Sequence, residues 1–221
     1  MTSHEKPDYW SRKAKTDGYP ARSVYKLKEM DEKFGLVKTA SRVLDLGAAP
    51  GSWSLYVLRL FARQAGFLSA ADLSPLSRRY DGGLFGGENF FFIEGDFTTE
   101  PVRAALAARG PYTLILSDAA PATTGNRTVD TLRSLALAEA ALDYAALLVD
   151  GGSLAVKVFQ GGDSAALLKQ MRERFKTARA FKPKACRSDS FETYFIGTGK
   201  RFPVQTVSGD SEKKFTAKSN K

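Results

Sequence analysis

Leu44-Asp45-Leu46-Gly47-Ala48-Ala49-Pro50-Gly51 reads as the end of a buried strand that runs into a loop bounded by two glycines. Arg42 to Leu46 supplies the strand. Ser52 to about Ala65 has helical spacing, with Trp53, Val57, Leu60 and Phe61 as its apolar face. In an open α/β sheet, ligands bind beyond the carboxyl ends of the strands, beside the first one. A glycine there lets backbone approach a partner without a Cβ clash. A dinucleotide fingerprint would need glycine at position 49, where Ala49 stands, and a P-loop would need Gly-Lys-Ser/Thr, where Ser52-Trp53 follows. The loop therefore fits a ligand that carries no pyrophosphate.

Outward from this loop, short apolar strands alternate with helices. Strands are expected at Phe67 to Ala71, Phe90 to Ile93, Thr113 to Leu116, Leu154 to Val158, Ala178 to Phe181 and Thr193 to Ile196. Helices are expected from about Arg22 to Phe34, Val129 to Leu148 and Ser164 to Phe175. This alternation predicts an α/β, doubly wound, Rossmann-like fold: a mostly parallel sheet of seven strands covered on both faces. No long helix separates the last two strands, so they read as a hairpin that places one antiparallel strand in the sheet. Residues 1–20 read as a polar, aromatic and basic leader, 21–198 as the single domain, and 199–221 as a basic, disordered tail.

Composition narrows the chemistry. The 221 residues include one cysteine, Cys186, and one histidine, His4, which lies in the leader. No internal disulfide is possible, a Ser-His-Asp or Cys-His site lacks its anchored histidine, and a structural zinc site lacks its ligands. No metal is expected. Proton transfer must use Lys, Asp, Glu, Tyr or water. No apolar run approaches the roughly 20 residues that span a bilayer, and the N-terminus has no signal-type stretch. A cytoplasmic protein follows, and little suggests an obligate dimer rather than a monomer. The net charge of +9 and pI of 9.6 favour a polyanionic partner, chiefly nucleic acid.

The ends of successive strands carry acids. Asp72 closes the second, where a carboxylate can accept from both hydroxyls of a ribose. Asp96 follows the third, where it can accept from an exocyclic amine, with Phe97 facing a base ring. An adenosine without a diphosphate satisfies these parts, and S-adenosylmethionine is such a ligand. The fourth strand ends in Ser117-Asp118-Ala119-Ala120-Pro121. The fifth carries Lys157 among apolar neighbours, a costly place for a lysine without a role. Glu192 opens the last strand, and Lys26 sits on the first helix.

With these segments, Ser23-Val24-Tyr25-Lys26-Leu27, Val156-Lys157-Val158-Phe159-Gln160-Gly161 and Glu192-Thr193-Tyr194, the chain resembles the FtsJ/RrmJ-like ribose 2′-O-methyltransferases, the ribosomal RNA large-subunit methyltransferase E family, from about Tyr9 to Thr198. The resemblance implies a catalytic tetrad of Lys26, Asp118, Lys157 and Glu192. It implies cofactor contacts at Gly51, Trp53, Asp72, Asp96 and Asp118, beside the Gly47 of the loop. It also implies a uridine in the A-loop of large-subunit ribosomal RNA as target, in a large subunit or its precursor. The family commonly has Asn after the Ala-Pro of its fourth-strand motif, whereas Ala122 stands here, which bears on a local loop or substrate contact. Lys157 is read as the base that takes the hydroxyl proton, with Asp118 orienting it and Lys26 and Glu192 shaping the field; the alternative is a Lys157 that stays charged and stabilises the forming alkoxide.

RNA is expected to meet Arg12, Lys13, Lys15, Arg22, Lys26 and Lys28, interleaved with Trp10, Tyr19 and Tyr25 as stacking faces. Lys213, Lys214, Lys218 and Lys221 are expected to add nonspecific attraction or solubility. Rival readings are a nicotinamide-dependent oxidoreductase, disfavoured by Ala49, a non-catalytic RNA-binding protein of the same fold, and a 2′-O-methyltransferase acting on transfer RNA or a messenger cap.

Overall fold

The computed structural model describes residues 8–187 and 190–201. The expectations for residues 1–7, His4 included, and for 202–221, with its four lysines, lie outside the described residues.

Seven strands form one sheet in the order β3-β2-β1-β4-β5-β7-β6. They are β1 (Arg42–Leu46), β2 (Phe67–Asp72), β3 (Phe90–Glu94), β4 (Tyr112–Ser117), β5 (Leu148–Phe159), β6 (Phe175–Phe181) and β7 (Glu192–Lys200). The first five run parallel, and β7 is antiparallel to both β5 and β6, so the doubly wound sheet and its terminal hairpin stand as expected.

Alternation along each strand divides two cores. Val43, Leu114, Leu116, Ala155 and Ile196 pack on one face under α2 (Val24–Phe34) and α3 (Ser52–Phe61). Leu44, Leu46, Ile115, Leu154 and Val156 pack on the other under α4 (Glu100–Ala107), α5 (Arg127–Asp143) and α6 (Ser164–Arg174). The first face also takes α1 (Tyr9–Thr16), which Asp8 caps by accepting from the Ser11 N–H at 2.8 Å. A cap of this kind is worth about 1 kcal/mol. Ala14 of α1 is buried.

Several boundaries differ from the sequence expectation. The helix α3 stops at Phe61, and α5 stops at Asp143, where a 3-10 turn takes over Tyr144–Leu147. The strand β5 begins at Leu148, because pairing with β4 continues on both sides of Gly151-Gly152, with a register shift between Tyr112 and Leu114. Gly151 adopts φ 78° there. The helices α1 and α4 were not foreseen. Only Val102 and Leu106 of α4 are buried, too short a stripe to show as a period. Among the described residues, no helix is long and apolar enough to cross a membrane.

Candidate active site

Sheet register builds the centre of the site. Ser117 at the end of β4 pairs with Val156 of β5, so Asp118 emerges beside Lys157. Across the antiparallel seam, Lys157 pairs with Tyr194 and Phe159 with Glu192. Residue 157 shares the face of Ala155, which is the face that α2 covers. Lys26 of α2 therefore looks onto the same spot.

The contacts follow from that placement. Lys157 Nζ donates to the Asp118 carbonyl oxygen at 2.5 Å and lies 3.1 Å from Asp118 Oδ1. Tyr194 Oη donates to the same Oδ1 at 2.7 Å. Lys26 Nζ pairs with Glu192 Oε1 at 2.7 Å and stands 5.9 Å from the centre of the Tyr194 ring. The four tetrad side chains are 8–17 % exposed. Charges so buried persist only when paired and hydrogen-bonded, and here each acid has its lysine.

The electrostatics hold the four groups in register. Burial pushes the Asp118 carboxyl up, but Lys157, Lys26 and the Tyr194 hydrogen bond outweigh it and hold the group below the usual carboxylate value. Burial pulls Lys26 down, yet Asp118 and Glu192 outweigh that and raise its hold on its proton. Tyr194, raised by burial and then by the charges of Asp118 and Glu192, stays a phenol. Cys186 is buried and hydrogen-bonded to Glu192, and its thiol is pushed up to about 12, which leaves it an inert wall of the site.

Beside the tetrad lies a cleft of ≈ 420 Å³, at the carboxyl ends of the parallel strands. It is lined by Gly47, Asp72, Asp96, Phe97, Asp118 and Lys157, with Ser23, Leu73 and Leu137 among its other walls. Asp72 Oδ2 accepts from the Ala49 N–H at 2.9 Å and Oδ1 from the Ser74 N–H at 2.8 Å, which pins both loops to one carboxylate. Asp96 Oδ1 accepts from the Thr98 N–H and hydroxyl. Among these lining residues three carboxylates face one lysine, so the cleft suits a cationic ligand and disfavours a phosphate. Leu73, 72 % exposed beside Asp72, offers an apolar surface. This donor set fits a nucleoside bearing positive charge, as S-adenosylmethionine does.

Two expected cofactor contacts are placed differently. Trp53 is buried behind the cleft, and its indole N–H donates to the Ser23 carbonyl at 2.8 Å. Its ring centre lies 5.9 Å from that of Tyr194. Gly51 does not line the cleft. A Cβ there would meet Phe85 Cζ at 2.7 Å, and one on Gly47 would meet the Ala119 Cα at 2.6 Å. The missing side chains make room for protein rather than for ligand.

A second cavity of ≈ 470 Å³ opens on the other side of Ser23, which lines both. Its walls include Arg22, Lys26, Arg187, Phe191 and Glu192. The tetrad thus straddles a junction, with Asp118 and Lys157 on the cleft and Lys26 and Glu192 on the second cavity.

Of the aromatic stacking faces expected near the N-terminus, Tyr19 and Tyr25 are core instead, and Trp10 is part-buried against them. Tyr19 and Tyr25 are 4 % and 5 % exposed, Trp10 packs on Tyr25 at 4.9 Å, and Lys28 lies over Tyr19, Tyr25 and Tyr56. Lys13 is paired with Asp17. The spacing of Lys and Tyr reflected cation–π packing. Sequence reasoning assigned no role to Tyr194 or Ser23. The signal for Tyr194 was its place two residues after Glu192, on the same face of β7.

The FtsJ-like methyltransferase family model matches residues 19–200. The ribosomal RNA large subunit methyltransferase E of Treponema denticola is 55% identical over 196 residues, spanning 88% of this chain and 95% of that protein. The protein of the same name from Borrelia garinii is 44% identical over 191 residues, 86% of this chain and 95% of its own. A crystal structure of a Plasmodium falciparum protein described as a ribosomal RNA methyltransferase superposes with a TM-score of 0.69 at 25% identity, covering 82% of this chain and 98% of that one.

Proposed function

The chain belongs to the FtsJ-like methyltransferase family, and from that premise we propose that it methylates a ribose 2′-hydroxyl of RNA with S-adenosylmethionine, the target being a uridine in the A-loop of large-subunit ribosomal RNA. One observation carries the reading: two lysines and two acids from α2, β4, β5 and β7 converge at the mouth of an acidic, nucleoside-sized cleft. The names of the relatives, which refer to the RNA of the large ribosomal subunit, support the substrate class. The protein acts as a monomer in the cytoplasm.

Asp72 would hold the ribose hydroxyls of the donor, Asp96 its exocyclic amine, and Phe97 and Leu73 the flanks of its base. The Gly47 backbone and Asp118 lie toward the reacting end, while Gly51 and Trp53 support the cleft from behind. When bound, S-adenosylmethionine supplies a methyl group on a cationic sulfur. The residues of the chain supply alignment and proton transfer. Lys157, once its ammonium has released a proton to solvent, would take the 2′-hydroxyl proton through the neutral amine. Asp118 fixes Lys157 through its carbonyl and carboxylate. Lys26, held by Glu192, keeps its positive charge and stabilises the oxygen as its proton leaves.

Methyl-labelled S-adenosylmethionine, incubated with the protein and either ribosomal subunits or total RNA, tests this. Label on a ribose 2′-oxygen of large-subunit RNA is expected. Label on a base, or on transfer RNA alone, would overturn it.

A further inference from the structure

We propose that the ≈ 470 Å³ cavity beyond Ser23 seats the acceptor nucleotide, with Arg187 and Arg22 gripping a phosphodiester next to the methylated ribose and Phe191 forming the wall for its base. The inference rests on the RNA-methylation reading and names the part of the molecule that would hold that substrate.

Three observations converge. The first is position. Ser23 lines both cavities, so an acceptor ribose at the junction meets Lys157 and Asp118 from one side and Lys26 and Glu192 from the other. A donor in the cleft then faces an acceptor in the second cavity, across the four groups that would transfer the proton. The size falls within the roughly 300–1,000 Å³ of ordinary ligand pockets.

The second is charge. The donor cleft carries three carboxylates and one lysine, whereas Arg22, Lys26 and Arg187 face Glu192 alone in the second cavity. Lys26 and Glu192 neutralise each other and Asp8 offsets Arg22, which leaves the Arg187 guanidinium without an acid partner among the described residues. Arg22 is fixed in place: it pairs with Asp8 and donates to the Ala185 carbonyl at 2.6 Å. Arg187 is exposed, and its side chain makes no hydrogen bond or ion pair among the described residues, its carbonyl accepting from the Ser190 N–H. Burial and the charge of Arg187 both weaken the hold of Arg22 on its proton. An anion between the two relieves that repulsion, and a phosphodiester offers two oxygens in the geometry that guanidinium forks match.

The third is the apolar wall. Phe191 is half-buried and fixed edge-on by Phe159, with ring centres 4.8 Å apart. A preformed aromatic surface beside a phosphate site is the usual platform for an unpaired base. The Glu29 carboxylate, accepting from the Lys184 and Ala185 N–H groups, pins the segment that leads to Arg187 onto α2.

Arg187→Gln in the full-length protein tests this, with Arg187→Lys and the exposed Arg172→Gln alongside. Three quantities are measured: binding of S-adenosylhomocysteine by calorimetry, binding of a fluorescent single-stranded RNA across a salt series, and methylation of ribosomal subunits resolved into kcat and KM. For Arg187→Gln, cofactor binding should be unchanged, KM for RNA should rise roughly ten-fold or more at near-constant kcat, and the salt slope should fall by about 1. Arg187→Lys should recover the slope but only part of the KM, and Arg172→Gln should behave as wild type. A slope and KM for Arg187→Gln equal to those of Arg172→Gln would overturn the proposal, as would a loss confined to kcat. A wild-type protein that methylates no RNA yet loses salt slope on Arg187→Gln would sink the proposed function and leave the cavity as an RNA site.

Discussion

Tyr194 Oη donates to Asp118 Oδ1 at 2.7 Å, reaching over β5, the strand that separates β7 from β4. The oxygen it holds is the one that faces Lys157 at 3.1 Å. The phenol therefore sets the angle from which Asp118 aims the lysine. Tyr194→Phe removes a hydrogen bond to a charged group, worth about 1.5–3 kcal/mol, and frees the carboxylate to turn. We expect kcat to fall roughly ten-fold or more, with KM for both substrates little changed. Steady-state methylation of ribosomal subunits measures this, and an unaltered kcat would remove Tyr194 from the site.

Lys157→Ala should abolish turnover while leaving cofactor binding in place. The lysine lines the cleft proposed for the donor, but in the proposed function it serves proton transfer, and holding the donor is assigned to Asp72 and Asp96. Calorimetry with S-adenosylhomocysteine separates the two effects. Near-normal methylation by this variant would discard Lys157 as the base.

The strands were legible because each buried run is short, apolar and closed by a glycine, an acid or a turn, as Arg42 to Gly47 and Phe67 to Asp72 show. Lys157 was legible as a type that is expensive in a core, whereas Lys26, Asp118 and Glu192 were joined to it only by the family resemblance. Less legible was what lies between elements. Lys28 reads in sequence as a free cation, and only the fold shows three tyrosines around it. Gly51 reads as a ligand contact, and only the fold brings Phe85 against it. Trp53, two residues past Gly51, spends its N–H on the Ser23 carbonyl of a distant segment. Contacts of this kind depend on which elements the sheet order makes neighbours, and a local pattern does not carry that information.

Asp72→Ala should weaken S-adenosylmethionine affinity by about 1–3 kcal/mol. The carboxylate already accepts from the Ala49 and Ser74 N–H groups, and each oxygen has lone pairs to spare for ribose hydroxyls. Its loss therefore removes ligand contacts and loosens the loop between Gly47 and Gly51. Asp72→Asn keeps one accepting oxygen and should fall between wild type and alanine. Calorimetry that finds all three equal would take Asp72 out of the cofactor site.

Gly47→Ala should destabilise the fold by about 2–5 kcal/mol. The position has φ 75°, and the new Cβ would sit 2.6 Å from the Ala119 Cα, a backbone atom that yields only if the loop after β4 shifts. Gly82→Ala is the control. Its φ is also positive, at 57°, but nothing lies within 4 Å of the added carbon, so about 1–2 kcal/mol is expected. Urea titrations that give equal losses would show that the contact with Ala119 is irrelevant.

Asp45 yields a pH dependence with a definite sign. The residue is fully buried on β1. Its Oδ2 accepts from the Ser54 hydroxyl at 2.7 Å, while Oδ1 is buried with no hydrogen-bond partner among the described residues. Burial pushes its carboxyl up to about 7, against the Ser54 hydrogen bond and with the help of Asp118 and Asp72. Near pH 3 the group is protonated in both the folded and unfolded chains and contributes no difference. As pH rises from about 4 toward about 7, the unfolded chain sheds this proton and the folded chain keeps it, so the folded state binds more protons and stability falls. The loss amounts to roughly 4 kcal/mol across that window and levels off above it. Asp45→Asn keeps the oxygen for Ser54 and removes the titration. Its stability relative to wild type should therefore improve steadily between about pH 4 and about pH 7 and then stay constant. Urea unfolding of both proteins at a series of pH values measures the difference, and a gap that does not vary with pH would mean that Asp45 does not titrate in this range.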